Sequence, residues 1–258
     1  MVRYLQVFTR GFAVSVLTVM RENRENLGEQ IMATPLMGME RQVEIPSGRR
    51  RLWGILVVPT DATGVVAFAH GSGSGRFSPR NQFVARVLQK AGLATLLLDL
   101  LEEEEAEDRG KVFDIGLLAD RLQSAANWLG QEPTTASLRL GYFGASTGAG
   151  AALVAAARQP DAVDAVVSRG GRPDLAGEDL PRVQAPTLLI VGGNDDVVLT
   201  LNQQAGNRLR CPKELVVIPG ATHLFEEPGT LEEVARLARD WFVRYLNPSR
   251  EQAPAGGG

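Results

Sequence analysis

The pentapeptide Gly144-Ala145-Ser146-Thr147-Gly148 constrains this chain more than any other stretch, because it joins a run that reads as a buried strand to one that reads as a buried helix. Leu138-Arg139-Leu140-Gly141-Tyr142-Phe143 precedes it, and the run from Gly148 to Arg158 beyond it is built almost wholly of Ala, Gly, Leu and Val. A chain that passes so abruptly from strand to helix must turn sharply at Ser146, and glycine on either side of the turn lets neighbouring backbone come close. The G-x-S-x-G spacing in this context predicts a seryl hydroxyl held above the end of a sheet, with the first amides of the helix facing the same space. Ser146 is therefore the candidate nucleophile. Its plain alternative is a helix N-cap after a buried strand.

Residues later in the chain add weight to the motif. There are two histidines. His223 ends Val216-Val217-Ile218-Pro219-Gly220-Ala221-Thr222-His223, a strand running into a loop, and it lies after Ser146. Between them the apolar strand Pro186 to Val191 leads to Gly192-Gly193-Asn194-Asp195-Asp196, which supplies a carboxylate at a strand end. Nucleophile, acid and histidine in this order form the triad order of α/β-hydrolases. Asp195 is the expected acid, with Asp196 as its rival and the expected cap of the next helix. The other histidine, His70, ends the strand Val65 to His70 and opens Gly71-Ser72-Gly73-Ser74-Gly75. Backbone amides of Ser72 and Thr147 are the expected oxyanion donors. His70 itself is expected to be structural, hydrogen-bonded to backbone beneath the loop.

Strands and helices alternate along most of the chain, which predicts an α/β fold: a mostly parallel sheet with helices on both faces and ligands at the C-terminal strand ends. Glu40 to Pro46 and Arg50 to Val58 flank Ser47-Gly48 and read as an N-terminal antiparallel hairpin. Ser78-Pro79 pairs an N-cap with a first helical proline, and Asp114 to Leu129 carries apolar residues at helical spacing. The connection from Ser168 to Thr187 is too short for a large helical cap, so an open site is expected. The expected organisation is an N-terminal extension over 1–38, an α/β-hydrolase domain over 39–247 and a Pro-, Gly- and Ala-rich disordered tail over 248–258. The acidic run Glu102 to Glu105, with Glu107 and Asp108, follows a strand end that could overlook the site, and its plain reading is a solvated loop.

With 258 residues, a formal charge of −3 and a pI near 5.6, the chain has an ordinary globular composition and no general attraction to nucleic acid or anionic membrane. The one cysteine, Cys211, precludes an intramolecular disulfide and is expected to be structural; a cytoplasmic location follows as the default. The apolar stretch Phe12 to Met20 is too short to span a bilayer and is followed by charged residues rather than a cleavage site. Two distant histidines and one cysteine provide no soft-ligand cluster, so neither a metal nor another cofactor is expected.

The segments HGSGSGRFSPRN, GYFGASTG, VVSRGGRPDLAG, LLIVGGNDDVV and PGATHLFEEPG resemble the dienelactone-hydrolase-like branch of the α/β-hydrolases, over roughly Glu40 to Leu246. In particular they are similar to a bacterial subgroup found alone or fused to a phosphoribosyltransferase-like domain. Dienelactone hydrolases proper use a cysteine nucleophile, whereas this elbow carries Ser146. The resemblance implies a cofactor-free serine hydrolase of small to medium carboxylic esters, lactones or thioesters. Acyl transfer by the same residues, or a non-catalytic binding module, are the alternatives. Arg76 and Arg80 near the His70 loop, and Arg169 and Arg172 after the strand at Val163 to Val167, are candidate ligands for an anionic substrate group. The expected partner is a small ester-type molecule, and the oligomeric state is not legible.

Overall fold

The structure is a computed structural model that describes residues 38–247, so the expected C-terminal tail and all of the expected N-terminal extension but Gly38 lie outside the described residues. The chain runs β1 (Met39–Ser47), β2 (Arg50–Val58), β3 (Gly64–Ala69), α1 (Pro79–Lys90), β4 (Leu93–Leu98) and two short helices, α2 (Glu103–Ala106) and α3 (Arg109–Val112). It continues through α4 (Ile115–Leu129), β5 (Arg139–Ala145), α5 (Thr147–Arg158), β6 (Ala165–Arg169) and a 3₁₀ segment over Pro173–Arg182. β7 (Thr187–Gly192), α6 (Asp196–Arg208), β8 (Lys213–Ile218) and α7 (Thr230–Leu246) complete it. The eight strands form one sheet in the order β1-β2-β4-β3-β5-β6-β7-β8. β1 and β2 are the antiparallel hairpin, β2 joins β4 antiparallel, and every later pairing is parallel. This is the α/β-hydrolase architecture without a large cap.

Local chemistry sets the element ends. Ser78 accepts from the Asn81 amide and Pro79 starts α1, while the Asp114 carboxylate accepts from the Leu117 amide at 2.9 Å and starts α4. β3, β4 and β7 are buried at every position, as strands covered on both faces must be. One apolar cluster joins the sheet to α4 and α5, and a second joins its other face to α1 and α7. Among the described residues no helix is long and apolar enough to cross a membrane.

The acidic run departs from the expectation of a solvated loop. Glu105 is 5% exposed and receives both terminal nitrogens of Arg121 from α4, at 2.6 and 2.8 Å, while Arg121 also donates to the Leu100 carbonyl at 2.6 Å. A buried carboxylate gains a partner from sixteen residues along the chain, and the Arg121 hydrogen bonds hold its carboxyl down at about 2.

Candidate active site

Ser146 occupies the turn from β5 to α5 with φ 50° and ψ −123°, backbone that side-chain-bearing residues rarely adopt. Its neighbours permit the turn by having no side chain. A Cβ on Gly144 would lie 2.4 Å from the Ala149 Cα, and one on Gly148 would lie 2.2 Å from the Ala69 carbonyl oxygen at the end of β3. The turn is also clamped from β6: the Ser146 amide donates to the Arg169 carbonyl at 3.3 Å, and the Arg172 amide donates to the Ser146 carbonyl at 3.0 Å. Strain is concentrated here, since two of the three described non-glycine residues with positive φ, Ser146 and Phe225, lie within three residues of a triad candidate.

His223 Nδ1 lies 2.7 Å from Asp195 Oδ2, which fixes the ring and leaves Nε2 for other work. Asp195 sits at the N-cap position of α6 but makes no capping bond, its carboxylate being spent on the histidine. Asp196 lies in the first helical turn instead of capping it. Ser146 and His223 line one cavity of about 260 Å³, together with Gly71, Ser72, Ser74, Arg80 and Arg169.

The His70 loop closes one side of this cavity. His70 is buried and its ring is fully used: Nε2 accepts from the Leu100 amide at 2.9 Å, so Nδ1 carries the proton and donates to the Gly71 carbonyl at 2.9 Å. Burial lowers the pKa of its imidazole, which suits a neutral strut between β4 and the loop. The Ser72 amide points to the buried Thr147 hydroxyl at 3.2 Å and does not stand open to the cavity. Cys211 is half-buried beside Thr187, and burial pushes its thiol up, away from the reactive thiolate.

The four arginines divide. Arg76 turns to Asp99, which takes both its backbone amide and its guanidinium, and Arg172 forms a two-pronged pair with Asp174 at 2.8 and 2.7 Å. Neither lines the Ser146 cavity. Arg80 and Arg169 do. Arg80 reaches Glu226 at 3.3 Å on the surface. Arg169 is 7% exposed, has Phe225 5.8 Å from its guanidinium and has no carboxylate partner among the described residues. Burial, reinforced by the nearby Arg80 charge, lowers it to about 10, so it remains cationic at neutral pH.

The sequence matches the dienelactone hydrolase family over residues 53–247. The chain belongs to that family. It is 59% identical to the dienelactone hydrolase of Anabaena variabilis, whose crystal structure superposes with a TM-score of 0.79 over 81% of this chain and 99% of that one. An esterase of Pyrococcus furiosus shares the fold at 20% identity, with a TM-score of 0.67 over 81% of this chain and 94% of that one. A Mycobacterium tuberculosis protein provisionally named a phosphoribosyl transferase is 60% identical over 207 residues, which are 80% of this chain and 47% of that protein. The chain thus spans about half the length of the curated relatives it matches. The matching family is one of hydrolases, and the fold described above is the one shared with the Anabaena variabilis structure.

Proposed function

We propose that the chain is a serine hydrolase that cleaves small carboxylic esters, lactones or thioesters through an acyl-enzyme at Ser146, and favours those bearing an anionic group. One observation carries the reading: a strained Ser146 shares a cavity with a histidine whose far nitrogen is held by Asp195 at 2.7 Å. His223 Nε2 takes the Ser146 hydroxyl proton as Oγ attacks the acyl carbon, and returns it to the departing alkoxide or thiolate. Water, activated by the same nitrogen, then releases the acid and restores the serine. Asp195 keeps the imidazole proton on Nδ1 and stabilises the imidazolium that forms between the two transfers.

The developing oxyanion would be met by the Thr147 amide at the start of α5 and by the Ser72 amide. The latter must exchange its 3.2 Å bond to the Thr147 hydroxyl for the stronger charge-assisted one to the oxyanion. Arg169 supports the anionic preference, because a buried guanidinium without a carboxylate partner is costly unless a ligand supplies one. Arg80 would reinforce it from the cavity edge; Arg76 and Arg172 are already paired. The substrate is thus a small anionic ester-type molecule.

Treatment with a fluorophosphonate probe tests the reading without knowledge of the substrate. The adduct should map to Ser146 and vanish in Ser146→Ala. Labelling that survives the substitution unchanged would overturn the assignment.

A further inference from the structure

Across the His70 loop from Ser146 lies a second cavity, about 650 Å³ against about 260 Å³, and Ser74 lines both. Its lining includes Trp53 of β2, Phe77, Leu101 and His70. Trp53 is 44% exposed and Phe77 59% exposed, and these are two of the three large aromatic side chains left exposed among the described residues. The Arg76 guanidinium lies over the Phe77 ring, 4.4 Å from its centroid, and covers part of it, but the surface that both aromatics still expose in one cavity forfeits burial that such side chains ordinarily obtain on folding.

Most of the polar groups around this cavity are already committed, the buried Arg76 Nε excepted. Both His70 ring nitrogens are held by backbone, Arg76 is taken by Asp99, Arg51 by Glu44, and Glu102 by Arg50. Among the described residues that line it, each arginine is thus matched by a carboxylate, in contrast to the Arg169 side of the loop, and the carboxylate of Glu103 adds negative charge to the rim. What the cavity offers a ligand is flat apolar surface of the size that takes a one- or two-ring group.

We propose that this cavity binds an uncharged aromatic ring system in the alcohol portion of the substrate, so that the His70 loop separates an anionic acyl half from an aromatic leaving half. The placement of that ring as leaving group rests on the reading of Ser146 given above, whereas its binding does not. An ester seated over the loop would lay its acid towards Arg169 and Arg80 and its alcohol between Trp53 and Phe77.

The test uses Ser146→Ala protein and 4-nitrobenzyl alcohol, a neutral aromatic alcohol that quenches nearby tryptophan. Saturable quenching is expected, reduced when Trp53→Phe removes the reporter and weakened roughly three- to tenfold in affinity by Phe77→Ala. With Ser146 intact, the ratio of kcat/KM for monobenzyl succinate to that for monoethyl succinate should fall by a similar factor in Trp53→Ala and Phe77→Ala. A ratio ties the loss to the ring, because a general folding defect would lower both rates together. Absence of saturable quenching, quenching unchanged in Trp53→Phe, or a ratio unmoved by both alanine variants would overturn the proposal. Saturable, Trp53-dependent quenching in a protein that cleaves neither ester would support the aromatic site and overturn its placement as the leaving half of an ester.

Discussion

Arg121 and Arg169 are buried to nearly the same degree, at 5% and 7% exposure, yet the regions around them are built in opposite ways. Around Arg121 every charge is answered: Glu105 receives two of its nitrogens, the Leu100 carbonyl accepts from it, and Lys111 adds a further contact to the same carboxylate at 3.3 Å. Around Arg169 the cation stands beside another cation, Arg80, and faces a cavity. The first arrangement is a self-contained device for folding, because a buried charge is tolerable once paired and hydrogen-bonded. The second is incomplete by itself. A substrate would complete it by bringing the missing negative charge to within reach of Ser146.

If the two regions differ in this way, substitutions in them should separate activity from stability. The largest effect is expected at the proposed triad. Asp195→Asn should lower kcat by about 10⁴-fold while leaving the melting temperature little changed, because it disturbs the His223 tautomer rather than the core. Asp196→Asn, in the first turn of α6 without the histidine contact, should change kcat far less; steady-state kinetics on one activated ester compares the pair.

The next effect belongs to the other region and should leave catalysis per folded molecule intact. Glu105→Gln strips the partner from a buried guanidinium and should destabilise the fold by about 3–5 kcal/mol in urea unfolding. Replacing both residues with leucine should cost less than the single change, since no unpaired charge is then buried. The Glu105 carboxyl lies at about 2 in the folded chain against 4.5 ordinarily, so its folded-state pKa is depressed. Its contribution is therefore complete above about pH 4.5 and is lost as pH falls towards 2, and Glu105→Gln should flatten that limb of the acid-unfolding curve. A smaller effect of opposite sign is expected at Arg169. Removing its uncompensated charge with Arg169→Met should leave stability unchanged or raise it by about 0.5–2 kcal/mol, as often happens at functional sites.

Much of this contrast is legible in the amino-acid sequence, but unevenly. The elbow, the strand ends bearing Asp195 and His223, and the hairpin are local patterns with local causes, and the sheet carries them where the alternation implies. Pairings between distant positions are not legible. Glu105 sits in an acidic run that reads as solvated, and only the fold brings Arg121 to it. Of the four arginines, Arg172 has Asp174 two residues on, a signal the sequence does carry, whereas Asp99 reaches Arg76 only through the packing of β4 against the His70 loop. The cavity lined by Trp53 and Phe77 leaves no mark at all, because Trp53 lies on β2 and Phe77 in the loop before α1, and neither interrupts a pattern.

Whether the unpaired cation at Arg169 is there for the substrate can be decided with a matched pair of p-nitrophenyl esters, the hemisuccinate and the butyrate, at low ionic strength. They share a leaving group and nearly the same acyl length, and differ in one carboxylate. A charge-assisted bond to a guanidinium shielded from water contributes roughly 1.5–3 kcal/mol, so the native protein should favour the hemisuccinate about tenfold or more in kcat/KM. In Arg169→Met the two esters should be cleaved with similar kcat/KM. A native protein that prefers neither ester, or a preference that persists undiminished in Arg169→Met, would contradict a substrate-binding role for this arginine.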